Sequence, residues 1–523
     1  MKMRQTQRST WLLLICAVGF GHGCATNPVT GKRELGVVSE QKEISLGRQN
    51  YPPMQQAQGG TQETFPEVSA YVDQVGKSLA EVSDRPHLPY EFVVLNNGVP
   101  NAWALPGGKI AINRGLLIEL DNEAELAAVI GHEIVHAAAR HGAKSLERGI
   151  LMQGALIGLG LAIENHDYRD VVLGVSGVGA TLIGQKYSRG AELEADRFGM
   201  RYMAKAGYDP RAAISLQETF VRLADGNNPG WINGLFASHP PSRERVMANR
   251  RHAESFPQGG RLGREEFQKA IAVLLEADPA YRKMTEGYEA LEKKQSDQAL
   301  RLAKSAIEIE PREAHFYGLA AKALAAKREY RGALGYLDEA INRNANYFDF
   351  YLQRGLVQQE LGNQSAAGQD LARSNDLLPT AQAHHALGLM ALDAGKQSNA
   401  LSHFRTAAAN PSPAGEASMA MLTRLDLPAN PQNYIQVSLE RDARGYLTLI
   451  AANRSSLPVG SVQVEVQVYD SRGRLVSRSP VSFPSPIPAG HSARAATRIG
   501  VFHSDEAVSQ GVRIRFLSAK AAG

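Results

Sequence analysis

The 523-residue chain has two cysteines, Cys16 and Cys24, three tryptophans, and almost no net charge, 57 basic side chains standing against 53 acidic ones. Cys16 lies in an N-terminal segment that reads as an export signal, so the remaining chain would hold no cysteine pair for an internal disulfide. Lys2, Arg4 and Arg8 supply three of the four net charges, which leaves the rest near neutral and gives no clustered basic surface for nucleic acid. Long apolar runs are missing as well. The stretch from Trp11 to Phe20 falls short of the ~20 residues that span a bilayer. An apolar content of 43% and a charged content of 21% are ordinary for folded soluble protein. The length exceeds one core and predicts three or four domains.

Residues 1–23 pair a basic start with an apolar run and the small residues Gly21 and Gly23, as export signals do. Cys24 follows at once. The segment resembles a bacterial lipoprotein signal with Cys24 as the lipidated residue, although Gly21 stands where Leu is usual; ordinary cleavage nearby or an uncleaved anchor are the alternatives. That resemblance implies export to the periplasm and a lipid anchor in the membrane, and Ala25 after the cysteine fits the outer membrane. Residues 24–60, polar and rich in Gln, Gly and Pro, suit a tether. Helical periodicity with two strand-like stretches, "YEFVVLNN" and "GKIAINRG", marks a domain at 61–256, closed by the glycine-rich "FPQGGRLG". Within it, two apolar glycine-rich runs between Gly149 and Gly184 suit a tight helical hairpin, packed in the protein or resting on lipid.

Over 264–412 small residues recur at the helix-pair period. Ala299, Ala333, Ala367 and Ala400 are in step with Ala306, Ala340, Ser374 and Ala407 seven residues later, and Gly355 and Gly388 match in the last two units. This resembles about four tetratricopeptide repeats, where small residues let paired helices approach. One long alanine-rich bundle is the alternative. From 431 to 523 the period changes to two, with turn signals between strands, which predicts a β-sandwich.

The chemistry gathers in "IGHEIVHAAARHG". On a helix, residues four apart share a face, so His132 and His136 can aim at one ion with Glu133 beside it. Asn122 is a candidate cap for that helix. Two buried core histidines are the bland alternative. A catalytic zinc needs a third protein ligand. The metzincin positions hold Ala139 and Gly142, which excludes that solution. "SRGAELEADRFGMRYMAKAG" offers the other: Ser188 caps, Gly207 stops, and Glu192 and Asp196 lie on one face. Glu192 is the candidate metal ligand, with Asp196 accepting a hydrogen bond from the outer nitrogen of a ligand histidine. A solvated acidic helix start is the alternative there.

"HEIVH" followed by "SRGAELEAD" resembles the gluzincin family of the CAAX prenyl endopeptidases and HtpX, and with tetratricopeptide repeats attached it is most similar to the BepA-type periplasmic proteases. The resemblance covers residues 24 to about 412 and implies a mainly α zincin-like metalloprotease domain carrying one zinc and an α-solenoid of repeats; the C-terminal β-sandwich read from the strand period departs from that architecture. It further implies Glu133 as general base, with His132, His136 and Glu192 as ligands. Gly107, Gly108, Lys109 and Ile110 would be an edge strand that holds an extended substrate. His239, in a histidine-proline segment with Arg245 six residues on, would be a fourth ligand or oxyanion group. Unfolded or stalled polypeptides are the implied substrates, and outer-membrane assembly machinery the partner of the repeat groove. The rival class is a repeat-bearing chaperone or scaffold with a latent metal site. An intramembrane peptidase is disfavoured, since it needs several long apolar spans.

Overall fold

The structure, a computed structural model, describes residues 24–148, 186–225, 234–484 and 486–522. The expected export signal at 1–23 and the glycine-rich hairpin at 149–184 lie outside the described residues. No described helix is long and apolar enough to cross a membrane. The chain groups into two units that divide after Leu378.

The first unit corrects the expectation of a tether over 24–60. Strand β1 (Cys24–Thr26) pairs antiparallel with β2 (Arg33–Leu35), and helix α1 (Glu40–Ala57) follows, capped by Ser39. Packing explains why a helix forms across Pro52 and Pro53. Gly47 sits so close to the Pro106 carbonyl that a Cβ would come within 2.0 Å of its oxygen, and the Tyr51 hydroxyl donates to the Ile110 carbonyl at 2.5 Å. Glu43, fully buried, faces both Arg85 at 3.0 Å and Arg140.

Helix α2 (Pro66–Ala80) starts on its proline and buries Val68, Val72, Val75 and Leu79. Beside it lies a sheet of β3 (Glu91–Leu95), β4 (Ala102–Leu105) and β5 (Lys109–Asn113) in the order β3-β5-β4. β5 runs parallel to β3 and antiparallel to β4. This corrects the proposed substrate strand. Lys109 and Ile110 belong to the central strand, paired on both sides, and Gly107 and Gly108 form its turn from β4 with φ of +79° and +83°. The Lys109 amine is committed to Glu91. An edge is what an added strand needs, and β4 is the edge on this side.

The short α3 (Arg114–Leu117) leads to α4 (Glu123–Ala138), every residue of which is buried. Then come α5 (Arg189–Lys205), α6 (Ala212–Asp225), the one-turn α7 (Leu235–Ser238) and α8 (Arg243–Ala253). Asn122 caps α4 by accepting from the Glu125 amide, and Ser188 caps α5 by accepting from that of Ala191. α4 and α5 meet at Gly131 and Gly199. A Cβ on Gly199 would stand 3.1 Å from the His132 nitrogen, so the ligand-bearing helices are in backbone contact.

Helix pairs follow: α9 (Arg264–Glu292) with α10 (Ser296–Ile309), α11 (Ala314–Ala326) with α12 (Tyr330–Arg343), and α13 (Phe348–Glu360) with α14 (Gln364–Leu377). Ala299, Ala333 and Ala367 are fully buried on the second helix of each pair. A Cβ on Gly287 or Gly355 would strike Leu319 or Leu371, so the repeated small residues mark close approach between helices. Phe267, Ile271 and Leu274 of α9 share one core with α2 and α4, so the glycine-rich link before α9 turns the chain without interrupting packing. Buried Glu313 accepts hydrogen bonds from Tyr281 (2.5 Å), Thr64 (2.8 Å) and Asn96 (3.0 Å), which joins repeat helices to the loops flanking α2 and β3.

In the second unit, α15 (Ala381–Asp393), α16 (Gln397–Ala408) and α17 (Pro413–Asp426) pack on one another, Gly388 meeting Phe404. Strands β6 (Ile435–Arg441), β7 (Leu447–Asn453), β8 (Val459–Tyr469), β9 (Leu475–Ser482), β10 (Ser492–Ala496) and β11 (Val512–Ala521), with α18 (Asp505–Gly511) before the last, form two antiparallel three-stranded sheets, β10-β7-β6 and β11-β8-β9. Alternate residues of β7 and β8 point into a core that includes Leu449, Ala451, Val464 and Val466, as the period of two requires.

Candidate metal centre

Helix periodicity sets the first pair. His132 and His136, one turn apart on α4, turn their Nε2 atoms to within 3.0 Å of each other. The backbone contact at Gly131 and Gly199 brings α5 alongside, and Glu192 in its first turn reaches 3.4 Å from His136 Nε2 and 3.5 Å from His132 Nε2. His239, directly after α7, completes the group with Nδ1 at 3.2 Å from His132 Nε2 and 3.1 Å from Glu192 Oε1. All four residues are buried and their ligand atoms lie within 4.8 Å of one another.

These spacings test whether the residues fit a metal. Ligand bonds of about 2.0 to 2.1 Å in a tetrahedron give a ligand-to-ligand edge of about 3.3 Å. The five quoted contacts run from 3.0 to 3.5 Å. Glu192 Oε2 is buried without an aligned hydrogen bond; Arg245 Nη1 lies 2.9 Å away as an ion pair only. Two imidazoles, a third beside them and a carboxylate with an oxygen to spare are the donor set of a zinc-like ion, and they fit it.

The surrounding shell orients the ligands. Asp196, one turn after Glu192 on α5, accepts from His132 Nδ1 at 2.9 Å. Arg245 of α8 grips both oxygens of Asp196 through Nε and Nη2, each at 2.7 Å. Burial works to raise the Asp196 pKa, but the Arg245 guanidinium outweighs it and holds the carboxyl below its usual range. Burial likewise opposes charge on Glu192 and His132; the facing His239 and His132 keep Glu192 well down, while Glu192 and Asp196 push His132 up to about 10. His136, whose burial dominates, is pushed well below the ordinary imidazole value. The ring of Tyr187 stacks on it at 3.9 Å.

Glu133 points into the same space. Its Oε1 is 3.6 Å from His239 Nε2, its Oε2 is buried with no hydrogen-bond partner, and burial raises its pKa. Beside it a small pocket is lined by Val129, Met200, Met203, Leu216, Phe220 and Leu235. A buried carboxylate with a raised pKa, next to a group of metal-ligating side chains and an apolar pocket, is an arrangement suited to metal-assisted hydrolysis.

The structure therefore brings together His132, Glu133, His136, Glu192, Asp196 and His239, and leaves Gly107, Gly108, Lys109 and Ile110 in a central strand and its turn. Cys24 opens β1. Sequence reasoning gave no role to Arg245, and it passed over Tyr187 and His141. His141 Nδ1 lies 2.8 Å from His136 Nδ1, and its signal was a third histidine within ten residues of the first.

Comparison with known proteins places the same region. Residues 66–253 match the model of peptidase family M48. The chain is 33% identical over 199 residues to the mitochondrial metalloendopeptidase OMA1 of Arabidopsis thaliana, covering 36% of this chain and 39% of that protein. It is 31% identical over 186 residues to the beta-barrel assembly-enhancing protease of Yersinia pestis, covering 34% and 35%. The matches thus span less than two fifths of either relative. Among solved structures, the crystal structure of MamA aligns with 27% of this chain and 85% of its own at 23% identity, with a TM-score of 0.23. A score that low leaves the repeat assignment to the periodicity and helix pairs of the chain itself.

Proposed function

From the match of residues 66–253 to the model of peptidase family M48 and the site it contains, we propose that the protein is a zinc-dependent endopeptidase of the periplasm that degrades unfolded or misassembled polypeptides in outer-membrane protein quality control. The observation that carries this reading is Glu133, buried with an unpaired oxygen beside four converging ligand side chains. A purely structural site has no use for such a base.

His132, His136 and Glu192 would hold one zinc, which when bound supplies a Lewis acid for the scissile carbonyl and lowers the pKa of water. Glu133 takes a proton from the attacking water and delivers it to the leaving amine. Asp196, clamped by Arg245, keeps the proton of His132 on Nδ1 and so leaves Nε2 free to ligate. An extended substrate would add to the β4 edge, with an apolar side chain in the pocket at Val129 and Phe220. Unfolded chains offer both features, whatever their sequence. The helix pairs recruit such chains or the outer-membrane assembly machinery, a lipid on Cys24 anchors the protein to the outer membrane, and the two C-terminal sheets, which share one core, act as a β-sandwich for binding.

His239 favours a second, compatible reading. With it the donor set numbers four, the count of a closed site, which leaves no position for water. The enzyme would be latent until His239 withdraws, and meanwhile the repeats would serve as chaperone or scaffold. The test is cleavage of unfolded casein by the native chain and by Glu133→Gln, with zinc assayed in both. Cutting by the native chain alone at equal zinc supports the protease and its base; bound zinc with no cutting by either transfers the weight to the latent reading.

A further inference from the structure

Behind His136 a chain of contacts leads away from the metal centre to the N-terminal hairpin. His141 Nδ1 stands 2.8 Å from His136 Nδ1, His141 Nε2 is 3.3 Å from Glu194 Oε1, and the Asn27 amide nitrogen is 3.3 Å from the same oxygen and 3.2 Å from Glu34 Oε1. The donors and acceptors fit in one order only. With His136 Nε2 turned to the ligand cluster, its proton sits on Nδ1, so His141 must accept on Nδ1 and carry its own proton on Nε2. That proton points at the Glu194 carboxylate, to which Asn27 also donates. Asn27 is preset for this, because its carbonyl oxygen accepts from the amides of Val29 and Thr30 at 2.9 and 3.2 Å. Asn27 and His141 are 1% and 5% exposed, so water does not replace either partner.

The backbone is built to deliver His141 to this place. On an unbroken helix a residue five positions on lies about 140° around the axis from His136. Arg140, two residues past the end of α4, has φ of 65°, after which residues 141–148 are again helical. Arg140 is itself held by Glu43 of α1 and by the Val38 carbonyl, and Glu147 accepts from the Val38 amide at 2.8 Å. Lys144 pairs with Glu34 at 2.6 Å. The N-terminal segment thus grips the stretch behind His136 at several points.

We propose that Asn27, acting through Glu194 and His141, is a positioning residue of the metal centre: the N-terminal hairpin fixes the tautomer and ring orientation of His136. The proposal rests on the metal reading above. It makes the segment that begins at Cys24 a working part of the site, so that loosening it weakens metal binding without touching a ligand.

The test uses the full chain and four variants: Asn27→Ala, Glu194→Gln, His141→Phe and His141→Asn. Zinc affinity is measured by competition with a chelator, the visible spectrum of the cobalt-loaded protein is recorded, and thermal unfolding of the metal-free form controls for folding. Loss of an outer partner of a ligand histidine costs about 10- to 100-fold in metal affinity. His141→Phe is expected in that range, with Asn27→Ala in the same direction by several-fold and both with an altered cobalt spectrum. His141→Asn, whose side-chain oxygen can accept in place of Nδ1, should recover most of the affinity. Should His141→Phe not fold, Asn27→Ala and Glu194→Gln carry the test. The proposal is overturned if the native chain binds one zinc and the folded variants match its affinity and spectrum. A native chain that takes up no metal overturns the metal reading itself, and this proposal with it.

Discussion

Arg245 offers the sharpest check on the electrostatics of the site. Its guanidinium, 4% exposed, stands 2.7 Å from each oxygen of Asp196 and 2.9 Å from Glu192. Replacement by Met keeps the volume and removes the charge, which takes from buried Asp196 its main cation and leaves Glu192 only the facing histidines. Removing one partner of a buried pair costs about 3 to 5 kcal/mol. For a domain the size of residues 66–253, each kcal/mol moves the melting temperature by about 2 to 4 °C, so the metal-free protein should unfold roughly 6 to 20 °C lower. Zinc brings positive charge to the same carboxylates, so the metal-loaded difference should be smaller. Arg245→Lys keeps the charge but not the two-pronged grip, and should fall between. Thermal unfolding of the three proteins with and without zinc decides it. If Arg245→Met melts within about 2 °C of the native chain in the metal-free state, the pairing assigned to Asp196 and Glu192 is wrong.

Other outcomes follow from single residues. His239→Ala should raise peptide turnover by several-fold if that side chain closes the site, and an unchanged rate on casein would remove it from the mechanism. Glu313 is opposed by burial, but hydrogen bonds from His315 and Tyr281 bring its pKa from 4.5 to about 2. A carboxyl depressed on folding contributes stability that is full above its unfolded value and fades as pH falls through its folded one, here on the order of 3 kcal/mol lost between pH 4.5 and 2. Denaturant midpoints of Glu313→Gln should therefore start lower at pH 7 and decline less steeply across that window than those of the native chain, whose other depressed carboxylates, Glu192 and Asp196 among them, are shared by both proteins. Gly199→Val would force α4 and α5 apart at the 3.1 Å contact with His132, costing about 1 to 3 kcal/mol and weakening zinc binding as well; retained zinc affinity would show that the helices repack without moving the ligands.

The parts of this structure that follow a helical or strand period could be anticipated from the residues alone. His132 and His136, Glu192 and Asp196, and the small residues from Ala299 to Ala400 repeat at spacings that the backbone dictates, and Asn122 and Ser188 cap where their side-chain chemistry allows. What was missed depends on tertiary packing. The helix across Pro52 and Pro53 exists because Gly47, Tyr51 and Glu43 find partners far along the chain. β5 lies at the centre of its sheet because β3 pairs with it in parallel, a connection that no local pattern encodes. His141 sits five residues after His136, off the shared face of any regular helix, and only the left-handed Arg140 re-aims it.

The unequal anchoring of the four candidate ligands bears on how a closed site could open. His132 and His136 lie within α4, which is buried along its whole length, and Glu192 lies on α5, in backbone contact with α4 at two glycines. Moving any of these three disturbs a long packed helix. His239 is different. It follows the single turn of α7, its amide donates only to the Leu235 carbonyl at 2.8 Å, and two prolines come directly after it. Proline supplies no amide for a backbone hydrogen bond, so this segment is held by side chains instead. One of those is Arg245, which donates to the Pro240 carbonyl at 3.3 Å while it grips Asp196. On the latent reading, His239 is then the one ligand whose withdrawal leaves the other three in place. Arg245 joins its loop to the residue that orients His132, so a partner that displaces the loop acts on the clamp of the metal site in the same movement.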